Sequence, residues 1–125
     1  MKSRDAALRA KRFDVSEKSR KAEDLVAMAR DFETMALDLE RQILAEEERT
    51  GVKDADHFSY STFAKSVAQR RQKLLVSVTD LKAQLEVAMA AYVAAKNELD
   101  ALEQSGAREN EAMRGKIERN GVAFG

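Results

Sequence analysis

Few residues in this chain have the types and spacing that chemistry needs. Its one histidine, His57, sits in a polar stretch beside Phe58 and Tyr60, and a lone imidazole with no second ligand at metal-site spacing reads as a turn residue. Glu46, Glu47 and Glu48 offer three successive carboxylates. Consecutive residues point in different directions around a helix, so these groups do not converge into an acid–base pair or a cation cage. Met28, Met35 and Met89 fit as adaptable packing groups. There is no glycine-rich phosphate loop, no His-x-x-x-His pair and no nucleophile with a base at recognisable spacing. The expectation is a protein that is not an enzyme, with no catalytic residue, no metal and no cofactor.

What remains is charge and apolar pattern. The 125 residues include no Pro, Cys or Trp, and 35% are charged, with 22 basic and 22 acidic side chains in balance. Neither a nucleic acid nor an anionic membrane is implied by a neutral chain. No apolar run approaches the roughly 18 residues needed to cross a bilayer, and the N-terminus lacks the apolar core of a signal peptide. These features lead to the expectation of a soluble, cytoplasmic protein with no direct membrane insertion.

The elements follow from two apolar ladders. Leu8, Val15, Ala22, Ala29, Ala36 and Ile43 recur every seven residues, joined by Leu25, Phe32 and Leu39 three places on. In the second half, Val67, Leu74, Leu81, Ala88, Ala95 and Leu102 form one series, and Val78, Leu85, Tyr92 and Leu99 the other. Sustained heptads mark helices that bury a narrow stripe against another helix. The fold class is therefore all-α: two long helices forming an antiparallel coiled-coil hairpin over residues 1–106. The first helix should span about 3–50 and end at Gly51, which can adopt the left-handed conformation that closes a helix. A turn over 51–58 follows, then a helix over about 59–105 that stops at Gly106. Residues 107–125 should be a flexible charged tail. Ser59 is the preferred cap of the second helix, because Phe58 and Phe63 then have the spacing of a hydrophobic staple; Ser61 is the other candidate.

In an antiparallel pair, facing residue numbers add to a constant. Heptad phase allows several values, and a turn centred near residue 55 selects 110, pairing Leu8 with Leu102, Leu25 with Leu85, Phe32 with Val78 and Ile43 with Val67. Charge agrees, since residues 1–21 carry eight Lys or Arg against three acids and residues 38–56 carry seven acids against three bases. In this register the acidic stretch lies beside Lys65, Arg70, Arg71 and Lys73, and the basic start beside Glu98, Asp100 and Glu103. Lys11, Lys18, Glu46 and Arg71 occupy seam positions, where charge costs stability but fixes pairing. Lys18 shares a layer with Tyr92, with its ammonium either over the ring or snorkelling to solvent.

Several local sequences also resemble a known family. They are Lys2-Ser3-Arg4-Asp5, Leu8-Arg9-Ala10-Lys11-Arg12-Phe13, Phe32-Glu33-Thr34-Met35-Ala36 with Leu39-Glu40, the turn His57-Phe58-Ser59-Tyr60-Ser61-Thr62-Phe63-Ala64, and Asp80-Leu81-Lys82. Together they are similar to the short FliJ-type flagellar export proteins of alphaproteobacteria, over about residues 1–103. The turn is the more specific part, because no heptad dictates it. The resemblance implies a cytoplasmic coiled-coil component at the base of the flagellar type III export apparatus, similar in shape to the stalk of rotary ATPases. It would engage the export ATPase ring and the export gate protein FlhA and assist export chaperones without hydrolysing nucleotide. On this basis Arg4, Arg9, Lys11 and Arg12 are the candidates for the ring, and Phe58, Tyr60 and Phe63 for the gate.

Two other classes are compatible with the residues. A homo-oligomeric structural adaptor would pair two hairpins through the off-seam residues Val26, Leu75 and Met89. A nucleic-acid-associated regulator would use the basic start, but the aromatic interleaving and strongly basic balance of that class are missing.

Overall fold

The chain is all-α. The computed structural model describes residues 2–124, with the side chains of 3–119, and contains no strand among them. Helix α1 spans Lys2–Thr50 and α2 spans Thr62–Phe124. The α1 sequence holds neither Gly nor Pro, and its charges suit the helix dipole, with Asp5 in the first turn and Arg49 in the last. It closes as expected: Gly51 has a φ of 73°, and its N–H donates to the Glu47 carbonyl at 2.8 Å.

The start of α2 differs from the preferred expectation. Ser61, not Ser59, is the cap: its Oγ accepts the Ala64 N–H at 3.1 Å, and its carbonyl accepts the Lys65 N–H at 3.1 Å. The residues before it are already committed to a turn. Ser59 N–H donates to His57 Nδ1 at 3.0 Å, and Tyr60 N–H to the His57 carbonyl at 3.0 Å. With Ser61 as cap, the residue that precedes it is Tyr60. Tyr60 is buried, while Phe58 is 95% exposed and Phe63 54% exposed, so the expected Phe58–Phe63 staple does not form.

The end of α2 also differs. The helix does not stop at Gly106 but continues to Phe124, so the segment expected to be a flexible tail is helical through residue 124; residue 125 lies outside the described residues. Helix formers flank Gly106 on both sides, and a single internal glycine costs about 1 kcal/mol against alanine, which such neighbours outweigh.

Tertiary contacts divide the chain into two compact units, Met1–Arg20 with Ala88–Gly125, and Lys21–Val87. Within Lys21–Val87 the helices run antiparallel. The buried residues are Ala22, Leu25, Ala29, Ala36, Leu39, Tyr60, Ala64, Val67, Val78 and Leu81, and Phe32, Ile43, Leu74 and Leu85 are half-buried. Apart from Tyr60 and Ala64, these are residues of the two expected ladders. Across the helices Glu40 pairs with Arg71 at 3.8 Å, nearly opposite it in the expected register, and Glu33 reaches further along α2 to Lys82 at 3.0 Å. Burial is deepest near the loop, where Ala64 is 0% and Val67 1% exposed.

Within the other unit the seam is thinner. Ala88 and Ala95 are buried, while Leu8, Val15, Tyr92, Leu99 and Leu102 are half-buried. Ion pairs supplement it: Lys11 bridges Glu98, Arg12 reaches Glu103 at 3.6 Å, and Arg4 bonds Glu109. Lys18 turns back along its own helix to Asp14 at 2.5 Å.

Candidate functional sites

The first surface is the loop end of Lys21–Val87. Two carboxylates of α1 hold it. Glu47 Oε2 accepts the Tyr60 hydroxyl at 2.7 Å, and Glu46 Oε1 accepts Ser61 Oγ at 3.1 Å. Arg49 closes on Glu46 with both Nη2 at 2.5 Å and Nε at 3.2 Å. The successive glutamates do diverge, each holding a different loop residue. Electrostatics follow these bonds. The Arg49 guanidinium holds the Glu46 carboxyl below its usual range, with Ser61 assisting and partial burial opposing, and the bond to Glu47 pushes the Tyr60 phenol up, helped by desolvation.

Further along, Asp54 forms an Asx turn, its Oδ1 accepting the Asp56 N–H at 2.9 Å and its carbonyl the His57 N–H at 3.1 Å. Because His57 Nδ1 accepts the Ser59 N–H, the neutral imidazole carries its proton on Nε2. The ring stacks on Phe58 with centroids 4.6 Å apart. Of the three aromatics expected at a gate contact, the fold therefore presents Phe58 fully and Phe63 partly, and withdraws Tyr60 as the buried post of the loop.

The second surface is the basic start of α1, in the unit Met1–Arg20 with Ala88–Gly125. Three of its four candidates are engaged. Lys11 bonds Glu98, which raises the lysine's pKa, with Asp14 contributing. Arg12 reaches Glu103. Arg4 bonds Glu109 and lies over Gly106, where a Cβ would come 3.1 Å from Nη2. Arg9 is exposed and has no ion pair among the described residues. A cleft of about 550 Å³ runs beside these groups, lined by Leu8, Arg12, Glu103 and Met113 among others. Sequence reasoning missed the seat of Arg4 on Gly106; the only available signal was that residues 4 and 106 satisfy the register.

No group of acidic and histidine side chains that would hold a metal occurs among the described residues, and none of their helices is long and apolar enough to cross a membrane. No family model matches the chain, and neither a curated protein nor a solved structure matches it.

Proposed function

We propose that the protein is a non-enzymatic coiled-coil component of the flagellar type III export apparatus, working in the cytoplasm at the base of the export machinery. It engages the export ATPase ring through the basic start of α1 and the gate protein FlhA through the loop end, and it assists chaperone and substrate delivery. The observation that carries this reading is the loop stretch His57–Ala64. It is the most specific part of the resemblance to FliJ-type proteins, and its residue Phe58, stacked on His57, is exposed on a loop that Glu46 and Glu47 hold in place. A large exposed ring on an ordered loop offers contact area at low entropic cost. At the ring, Arg9 is the cation free to meet an acidic partner, while Arg4, Lys11 and Arg12 would have to exchange existing pairs.

The test is stimulation of the export ATPase by added protein. Wild-type chain should raise the rate, and Arg9→Glu with Arg12→Glu should reduce that effect. Absence of both stimulation and ring binding in a pull-down would remove the proposal. In cells, deletion should abolish motility and flagellar secretion, and Phe58→Ala should weaken the gate interaction without changing helix content.

A further inference from the structure

The two broad faces of the unit Lys21–Val87 differ. Residues that follow seam positions, such as Glu33, Glu40 and Lys82, lie on one face and form its cross-helix ion pairs. Residues that precede seam positions lie on the other, which holds an open groove of about 470 Å³. Phe32, Leu39 and Leu74 form its apolar floor, with Met35 and Asp38 along α1 and Arg70, Lys73 and Ser77 along α2. Met28 and Met35 on this face are 46% and 49% exposed. Along its α1 edge, Asp24, Asp31 and Asp38 recur every seven residues. None has a cross-helix ion pair; Asp38 meets only Arg41 on its own helix, at 3.4 Å. On the α2 edge, Arg70 and Lys73 have no ion pair among the described residues.

We propose that this face docks a second copy of the chain, face to face, about a twofold axis running along the helices of the unit. That axis lays α1 of each copy over α2 of the other at the same height, so Asp38 meets the second copy's Arg70 and Lys73, and each contact occurs twice. The alternative twofold, perpendicular to the helices, stacks α1 on α1 and α2 on α2. Centred on the groove, it would set Asp38 against the second copy's Asp38 and the two cations against their like. Charge therefore selects the first arrangement. The area is sufficient. Over the 26 residues that α2 contributes to the unit, the face is about 39 Å long and about 20 Å wide, giving ~800 Å² per copy, the size of a standard stable interface. One like-charge pair survives: Asp80 lies at the height of the second copy's Asp31, exposed on both sides. The pairing requires no export partner and uses the face opposite Val26 and Leu75.

Sedimentation velocity on the full chain, from micromolar to millimolar concentration, tests it apart from any ATPase measurement. The wild type should dimerise with concentration. Met35→Glu, and separately Arg70→Glu with Lys73→Glu, should raise the dimer dissociation constant at least about tenfold while circular dichroism stays unchanged. Adding Asp38→Lys to the latter pair should restore association, and Asp80→Lys should tighten it several-fold by removing the like-charge contact. A chain that stays monomeric throughout overturns the proposal and leaves the groove to a different chain. So does dissociation by Leu75→Glu with none by Met35→Glu.

Discussion

The guanidinium of Arg4 lies over the bare backbone of Gly106, where a Cβ would come 3.1 Å from Nη2 and push the side chain back slightly. That relationship gives a glycine inside a long helix a packing role. It leaves room for an arginine that continues to Glu109, and Arg4 Nε is buried there without a hydrogen-bond partner.

Gly106→Ala should therefore stabilise the protein. Alanine gains about 1 kcal/mol of helix propensity, while the displaced Arg4 is the movable end of a flexible side chain. Its exposed ion pair contributes at most a few tenths of a kcal/mol. The expected outcome is a net gain of roughly 0.5–1 kcal/mol, read as a rise of a few degrees in the thermal midpoint. A fall in that midpoint would mean that the seat of Arg4 matters more than the helix.

Two serines near the start of α2 separate by role. Ser61→Ala removes the oxygen that accepts the Ala64 N–H and donates to Glu46, and should cost about 1 kcal/mol in urea denaturation. Ser59 contributes its backbone N–H to His57, which alanine retains. Ser59→Ala should change stability by less than about 0.5 kcal/mol. Equal effects would contradict the cap assignment.

The long helices were legible because a heptad states which residues share a stripe, and burial of Leu25, Ala29, Ala36, Leu39, Val78 and Leu81 follows that stripe. The turn fixed the register because Gly51 closes α1 by its own backbone freedom. The cap was harder to read. Ser59 and Ser61 have the same chemistry, and the choice depended on His57 taking the Ser59 N–H, a contact without periodicity. The pairing of the basic start was harder still. The register set the basic start beside Glu98 and Glu103, but not which cations those acids would take: they occupy Lys11 and Arg12, while Arg9 has no ion pair among the described residues.

The loop end also sets a pH dependence of stability. Glu46 is held below its ordinary range by Arg49, so its contribution is complete above that range and is lost as the pH falls through its folded value. Asp14, lowered chiefly by Lys18, adds to the same acid limb. Tyr60 is raised by Glu47, so its contribution is present below its ordinary value, about 10. It is lost as the pH rises through the higher folded value, and Lys11, raised by Glu98, behaves likewise. Urea midpoints measured across pH should fall at both ends. Glu46→Gln should flatten the acid limb alone and Tyr60→Phe the alkaline limb alone; a variant that flattens both, or neither, would contradict these assignments.

Arg9 and Lys11 allow partner contact to be separated from fold maintenance, because they are neighbours in sequence with opposite commitments. Arg9 is exposed with no ion pair among the described residues, so Arg9→Glu should leave thermal stability within about 0.5 kcal/mol of the wild type. If the basic start meets an acidic ring surface, the same change should weaken ring binding and slow association most at low salt, because exposed charges act over the Debye length. Lys11 sits on the seam between Glu98 and Asp14. Lys11→Glu places three carboxylates together and should lower the thermal midpoint clearly, with any loss of binding following the loss of structure. Binding lost by Lys11→Glu and untouched by Arg9→Glu would assign this end of the molecule a structural role alone.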